Sequence, residues 1–225
     1  MATKMAEAAT AEVGLGWNSD TLPLGSHVCF YYLNEEMLKR TLAFLRVGLD
    51  DPKDFCVLFA DEARSGRLLS WLEEGYHGEI QPLMDRGKLA VIGGAPTVEE
   101  LLTAIGTRLD RAVKEGYRLI RFLGFIGWGQ PGWPNDRDLL EFEAKVNYAV
   151  TTYPAVIICT YGVPSLPGTS LIYGGLQTHP ITMLADVTAR NNPLYVPPAK
   201  FIEGLARSDV EEDSAPARTR TPRSG

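Results

Sequence analysis

The sequence predicts an α/β protein, a three-layer sandwich with helices on both faces of a mostly parallel central sheet, and three observations carry that expectation. Several runs of strand length are apolar almost without alternation, as strands covered on both faces must be. Stretches with helical apolar spacing separate them and are long enough to serve as crossovers. Gly, Pro and Asp clusters punctuate the boundaries between the two.

The most informative run covers residues 117–128, where Leu119, Ile120, Phe122, Leu123, Phe125 and Ile126 leave almost no polar position. Arg121 interrupts it. A cation within such a strand is costly to bury unpaired, so it marks a solvated end or has an anionic partner. The loop that follows places Trp128 and Trp133 among glycines and prolines, beyond the strand's C-terminal end, where open α/β sheets bind ligands.

In chain order, residues 1–20 read as a loose lead-in. Residues 28–32 read as a strand, and Asn34 opens a helix that keeps Met37, Leu38, Leu42, Leu45 and Leu49 at helical spacing. A second strand over 55–60 leads through Asp61 and Glu62 to a helix over 65–74. A third strand covers 88–92. Thr97 with Glu100 has capping-box spacing and starts a helix through about residue 114. After the central strand and its loop, a helix spans 136–148 and another apolar strand spans 155–160. Residues 163–175 are loop-rich, and 177–184 suit either a short helix or a final strand. The prolines of 191–198 require extended chain, a short helix over 199–205 closes the domain, and residues 208–225 have the composition of a disordered tail. The domain proper is therefore expected over 21–207.

The 225 residues, 45% hydrophobic, suit one well-cored domain. A net charge of −6 argues against a nucleic-acid-binding face or an anionic membrane surface, both of which want clustered Lys and Arg. Cys29, Cys56 and Cys159 each sit in an apolar run and read as buried, reduced thiols. With neither a signal-peptide pattern nor an apolar run of spanning length, a cytoplasmic location is expected.

Nothing after the first strand fits a phosphate-binding glycine loop, and the two carboxylates at the start of the first helix would repel phosphate there. The central strand ends without an Asp or Glu for magnesium. ATP hydrolysis is not expected. His27, His77 and His179 are dispersed, and among the His and Cys residues only His27 and Cys29 have ligand spacing, sharing one strand face. Two ligands do not make a metal site, so no metal, no catalytic residue and no cofactor is expected; His77 reads as exposed.

Residues at the C-terminal ends of the strands make a more coherent set: Tyr31, Tyr32 and Asn34, then Asp61 and Glu62, then Trp128, then Tyr161. Aromatic walls with a few polar groups suit a small-molecule pocket. The alternative is that the aromatics only cap the sheet edge and Asp61 and Glu62 face a helix dipole. Glu143 and Asn147 share a helix face, with Arg121 as the expected partner of Glu143; alternatively Glu141, Glu143 and Lys145 form that helix's wet side.

The chain resembles the MEDS domain, the sensory domain of the dichloromethane regulator of methylotrophs and of methanogen signalling proteins. The resemblance runs from about residue 24 to 201. It rests on Gly25-Ser-His-Val-Cys before Tyr31 and Tyr32, on Phe55 through Asp61 and Glu62, on Arg121 with Gly124 and Trp128, on Phe142-Glu-Ala-Lys-Val-Asn147, on Ile158-Cys-Thr-Tyr161, on His179-Pro180, and on Asn192-Pro-Leu-Tyr195. The order of elements is also similar to the RecA and KaiC-like ATPase architecture with its nucleotide loop lost. The resemblance implies a noncatalytic sensor of a small organic, hydrocarbon-derived ligand, with His179 joining the ligand-binding set and the signal passing to a DNA-binding or kinase domain. Neither domain is expected within these residues, and Phe125 and Gly162 stand where acidic residues are expected in many relatives, so a more apolar pocket is expected.

Three readings follow: a stand-alone ligand sensor acting through a partner protein, a degenerate nucleotide-binding ATPase or a hydrolase using Asp61, Glu62 and His179, and an interaction module docking through loop 128–133. A closed aromatic cavity favours the first and a flat exposed tryptophan patch the third. The expected partners are a small organic ligand and a signalling protein, a kinase or regulator, with a homodimer left open and no nucleic acid or membrane.

Overall fold

A computed structural model describes residues 11–214, with side chains through Arg207. Its centre is a seven-stranded sheet built from β3 (His27–Tyr32), β4 (Asp54–Phe59), β5 (Leu89–Ile92), β6 (Leu119–Gly124), β7 (Ala155–Gly162), β8 (Ile181–Leu184) and β9 (Val187–Ala189). The order is β5-β4-β6-β7-β3-β8-β9, parallel throughout except for the antiparallel β8–β9 pair. All six residues of β4 and all eight of β7 are buried; most are apolar, as two-sided burial requires, and the exceptions Asp54 and Thr160 bond to Arg121 and to the Gly124 carbonyl.

The crossover helices are α1 (Glu35–Asp50), α2 (Glu62–Glu74), α3 (Gln81–Asp85), α4 (Val98–Lys114) and α5 (Asp136–Thr152), with α6 (Pro198–Ser214) closing the chain. Alternation along β6 shows how the faces divide. Ile120 and Phe122 join the apolar cluster under α4 and α5, whereas Leu123 and Phe125 join the one under α1 and α2. Four helices start on side-chain caps, the one at Thr97 as expected: Asn34 accepts from Met37 N at 3.0 Å, Asp61 from Arg64 N at 2.8 Å, Thr97 from Glu100 N at 3.2 Å and Asn135 from Asp138 N at 3.0 Å.

Three expectations need correction. The lead-in is not loose over its second half, because β1 (Glu12–Gly14) pairs antiparallel with β2 (Thr21–Pro23) and buries Val13, Leu15 and Leu22 against α1. A three-residue strand is too short to show a period, and its stability comes from tertiary contact. The closing helix continues to Ser214, past the expected start of a disordered tail at 208; residues 1–10 and 215–225 of the two terminal expectations lie outside the described residues.

The third concerns Arg121, which does not meet Glu143. Its side chain projects toward α1, where Nε donates to Asp54 Oδ2 at 2.7 Å, Nη1 donates to the Gly14 carbonyl at 2.7 Å, and the guanidinium lies 5.0 Å from the Phe44 ring centroid. Glu143 sits on α5, across the sheet. The strand alternation that sends Phe122 to the α5 face sends Arg121 to the other, so the two cannot pair. Arg121 also lies in the N-terminal half of β6, away from the strand ends where the crevice opens.

Candidate functional site

Two cavities adjoin over the C-terminal ends of β3 and β7. The inner one, about 90 Å³, is lined by Tyr32, Arg64, Ile126, Trp128, Gln130, Thr160, Gly162, Ser165 and Leu166. It shares Tyr32, Arg64 and Ser165 with an outer groove of about 310 Å³ that runs past Asn34 to Trp71. The position follows from topology: the first crossover leaves β3 for β4 past two intervening strands, and the crevice opens where the chain's direction across the sheet reverses. Arg64, on the first turn of α2, brings a half-exposed cation to both cavities, and its Nε lies 3.7 Å from Asp61 Oδ2. Gly162 has no room for a larger residue, since a Cβ there would stand 2.6 Å from the Tyr32 hydroxyl and 2.7 Å from Ser165 Oγ.

Loop 128–133 folds inward. Trp128 is 5% and Trp133 8% exposed, so no flat tryptophan patch faces solvent. Trp133 lies against Gly94 and Gly127, its ring 5.1 Å from that of Phe59. Trp128 forms a wall of the inner cavity, and its Nε1–H is buried without a partner.

Behind Trp128 lies a π-helical turn, Ser170–Leu176, in the stretch expected to be loop-rich. Such turns are rare and tend to sit at functional sites. Two glycines let it settle: a Cβ on Gly174 would come within 2.7 Å of the Trp128 ring, and one on Gly175 would collide with the Tyr31 hydroxyl. Tyr31 donates to the Leu171 carbonyl at 2.7 Å and thereby ties β3 to the turn. Asn147 Nδ2 donates to the Thr178 carbonyl at 2.8 Å, and Asn192 Nδ2 to the His179 carbonyl at 2.8 Å, fixing the chain as it leaves the turn.

Under this turn lies a sealed polar cluster. His27, Glu143 and His179 are fully buried and Cys159 is 1% exposed. Tyr161 donates to Glu143 Oε1 at 2.5 Å. Glu143 Oε2 lies 3.5 Å from His27 Nε2 and 3.6 Å from His179 Nε2, and Cys159 Sγ lies 3.5 Å from His27 Nε2. His179 Nδ1 faces the Gly175 and Gly174 carbonyls at 2.9 and 3.1 Å, which places the ring proton on that nitrogen. His27 Nδ1, Glu143 Oε2 and His179 Nε2 have no hydrogen-bond partner. Burial holds the His179 pKa well below its ordinary value, with His27 adding to the effect, and it pushes the Cys159 thiol and Tyr161 hydroxyl up, helped by the charge of Glu143.

The site residues expected from sequence therefore divide. Tyr32, Asn34 and Trp128 line the crevice; Tyr31, Glu143, Asn147, Tyr161 and His179 build the cluster and the turn above it. Asp61 caps α2 and Glu62 is an exposed first-turn acid, the alternative role foreseen for them. Arg121 belongs elsewhere. Glu143 is not on a wet face; α5 buries it with Phe142 and Val146. Sequence reasoning missed Arg64, Gln130, Thr160 and Ser165 in the crevice; it set His27 aside because with Cys29 it gave only two ligands, and it read Cys159, 132 positions away, only as a buried thiol. Their convergence comes from the β3–β7 register, which pairs His27 with Ile157 and Cys29 with Cys159. His77 is exposed, as expected.

A family model described as the methanogen/methylotroph, DcmR sensory domain matches residues 26–180, more than half of the chain. The sheet is also similar to that in the crystal structure of a KaiC-like protein from the hyperthermophilic archaeon Pyrococcus horikoshii OT3, with a TM-score of 0.57 and 14% identity over 78% of this chain and 81% of that one. At that identity the likeness concerns the fold alone. No curated protein matches the chain. Among the described residues no helix is long and apolar enough to cross a membrane.

Proposed function

We propose, from the premise that the chain belongs to the MEDS family of sensory domains, that it binds a small organic molecule without turning it over and reports occupancy to a signalling protein, a kinase or transcriptional regulator. The observation that carries this reading is the crevice at the strand ends, walled by Tyr32 and Trp128 and lined by the Arg64 cation and the Gln130, Thr160 and Ser165 side chains. The inner volume of about 90 Å³ takes only a compact molecule, and its lining by Tyr32, Arg64, Gln130, Thr160 and Ser165 favours a small organic ligand with a polar group over a bare hydrocarbon, against the expectation of a more apolar pocket. Occupancy would be relayed through the π-helical turn, which touches Trp128 on one side and Tyr31 on the other.

The test is an NMR titration with a panel of short alcohols, carboxylates, amines and halogenated methanes. At least one should shift the Trp128 indole N–H resonance saturably, and that shift should vanish in Thr160→Val or Arg64→Leu. A panel that moves only surface resonances would overturn the assignment of the crevice.

A KaiC-like fold invites the competing reading of a nucleotide enzyme. The turn from β3 to α1 runs through Tyr32, Leu33, Asn34 and Glu35, without a glycine cradle or a lysine, and Asn34 is already engaged as the α1 cap. Magnesium ATP or GTP is therefore expected to leave the melting temperature unchanged, whereas a site at about hundredfold excess over its Kd would add about 2.7 kcal/mol. A saturable upshift in a thermal-shift titration would restore the nucleotide reading.

A further inference from the structure

The sealed cluster beneath the π-helical turn has no role in the crevice, and its geometry is that of a coordination shell. We infer that His27 Nε2, Glu143 Oε2, Cys159 Sγ and His179 Nε2 bind a divalent transition-metal cation of the zinc class. The four atoms all lie within 4.8 Å of one another. Donor atoms about 2.0–2.3 Å from a shared tetrahedral ion stand about 3.3–3.8 Å apart. The His27–Glu143, His179–Glu143 and His27–Cys159 separations are 3.5, 3.6 and 3.5 Å.

The unpartnered atoms argue in the same direction. With its proton on Nδ1, donated to the turn's carbonyls, His179 presents a bare lone pair at Nε2 to the bare Oε2 of Glu143. Two acceptors facing each other in a dry site repel, and each lacks the donor that burial demands. Moving the proton to Nε2 does not mend this, because it forfeits the bonds to the Gly174 and Gly175 carbonyls. A cation between the two atoms answers both lone pairs at once.

Outer contacts match those of a metal site as well. A ligating imidazole usually donates its far N–H to a carbonyl, and a ligating carboxylate is usually held by a hydrogen bond; His179 and Glu143 have these in the Gly175 carbonyl and the Tyr161 hydroxyl. His27 lacks such a partner at Nδ1. Charge closes too: two neutral imidazoles, one carboxylate and one thiolate around a divalent ion sum to zero, the only total that a fully buried site holds at low cost. The thiol proton of Cys159 leaves to solvent on binding. With four protein donors the shell is closed, so the ion is structural rather than catalytic, joining β3, α5, β7 and the chain that leads into β8.

The experiment uses the full chain purified without a metal-affinity tag, stripped with chelator, checked for folding by circular dichroism and titrated with cobalt(II). The expected result is saturation near one equivalent, with tetrahedral d–d bands and a thiolate-to-cobalt charge-transfer band. Zinc should displace the cobalt and raise the melting temperature. C159S should lose the charge-transfer band while C29S and C56S keep it. Tyr161→Phe, which touches no ion, should weaken cobalt binding about 10- to 100-fold by freeing the carboxylate. A folded wild-type chain that takes up no cobalt would overturn the inference, as would a charge-transfer band that survives C159S. Should C159S fail to fold, the wild-type spectrum and the Tyr161→Phe affinity decide the question. None of these readouts depends on the crevice ligand, so this inference and the sensory reading stand or fall separately.

Discussion

Arg121→Leu is expected to lower the unfolding free energy by about 3–5 kcal/mol, because it leaves the Asp54 carboxylate buried and unpaired at the start of β4. Both side chains are about 6–7% exposed, so solvent cannot take over the lost contact. Burial raises the Asp54 pKa, with Asp51 adding to it, while the Arg121 guanidinium and, less strongly, Lys88 pull it down, so removing the arginine takes away the larger of the two opposing cations. The double change Arg121→Leu with Asp54→Leu should recover much of the loss, since a buried ion pair is worth little against apolar residues of similar volume. Part of the cost will remain, because Nη1 also holds the Gly14 carbonyl of β1. A chemical-denaturation cycle measures this, and its coupling energy should be large for Arg121 with Asp54 and near zero for Arg121 with Glu143. Coupling to Glu143 instead would contradict the division of the two residues between opposite sheet faces.

Trp128→Ala comes next in size, at about 3–5 kcal/mol, the range for truncating a buried large aromatic. The indole fills the space between the inner cavity and Gly174 of the π-helical turn and lies 6.1 Å, centroid to centroid, from Tyr161. Deleting it removes a wall of the crevice and the surface on which the turn rests. Trp128→Phe should cost clearly less, since the smaller ring still fills part of that space and the indole N–H it gives up has no protein partner. If urea denaturation gave both variants wild-type stability, Trp128 would not be the packing element described here, and the relay from crevice to turn would lose its structural basis.

The sequence by itself determined the layers and the order of the five parallel strands from β3 to β7 and their long crossover helices. Two-sided burial demands continuous apolar runs, crossover helices demand a 3.6-residue stripe, and Asn34 and Thr97 announce helix starts through local hydrogen bonds. Those signals lie within one element and survive being read in one dimension. Trp128, Tyr161, Glu143 and His179, which the structure places in the crevice wall and the buried cluster, stood out in the sequence as candidates from their place at strand ends or among the residues that carry the family resemblance. Only the tertiary structure decided which polar residues meet. Arg121 found Asp54 because one residue of strand alternation selects a face, and a pairing guess between β6 and α5 carries no such sign. His27, Glu143, Cys159 and His179 come from four separate parts of the chain, and no spacing rule joins them. Their meeting depends on the β3–β7 register and on how two glycines let the π-helical turn approach Tyr31 and Trp128. Register and close approach are properties of packed elements, each residue being held by partners far away in sequence, and so they appear only once the sheet has formed.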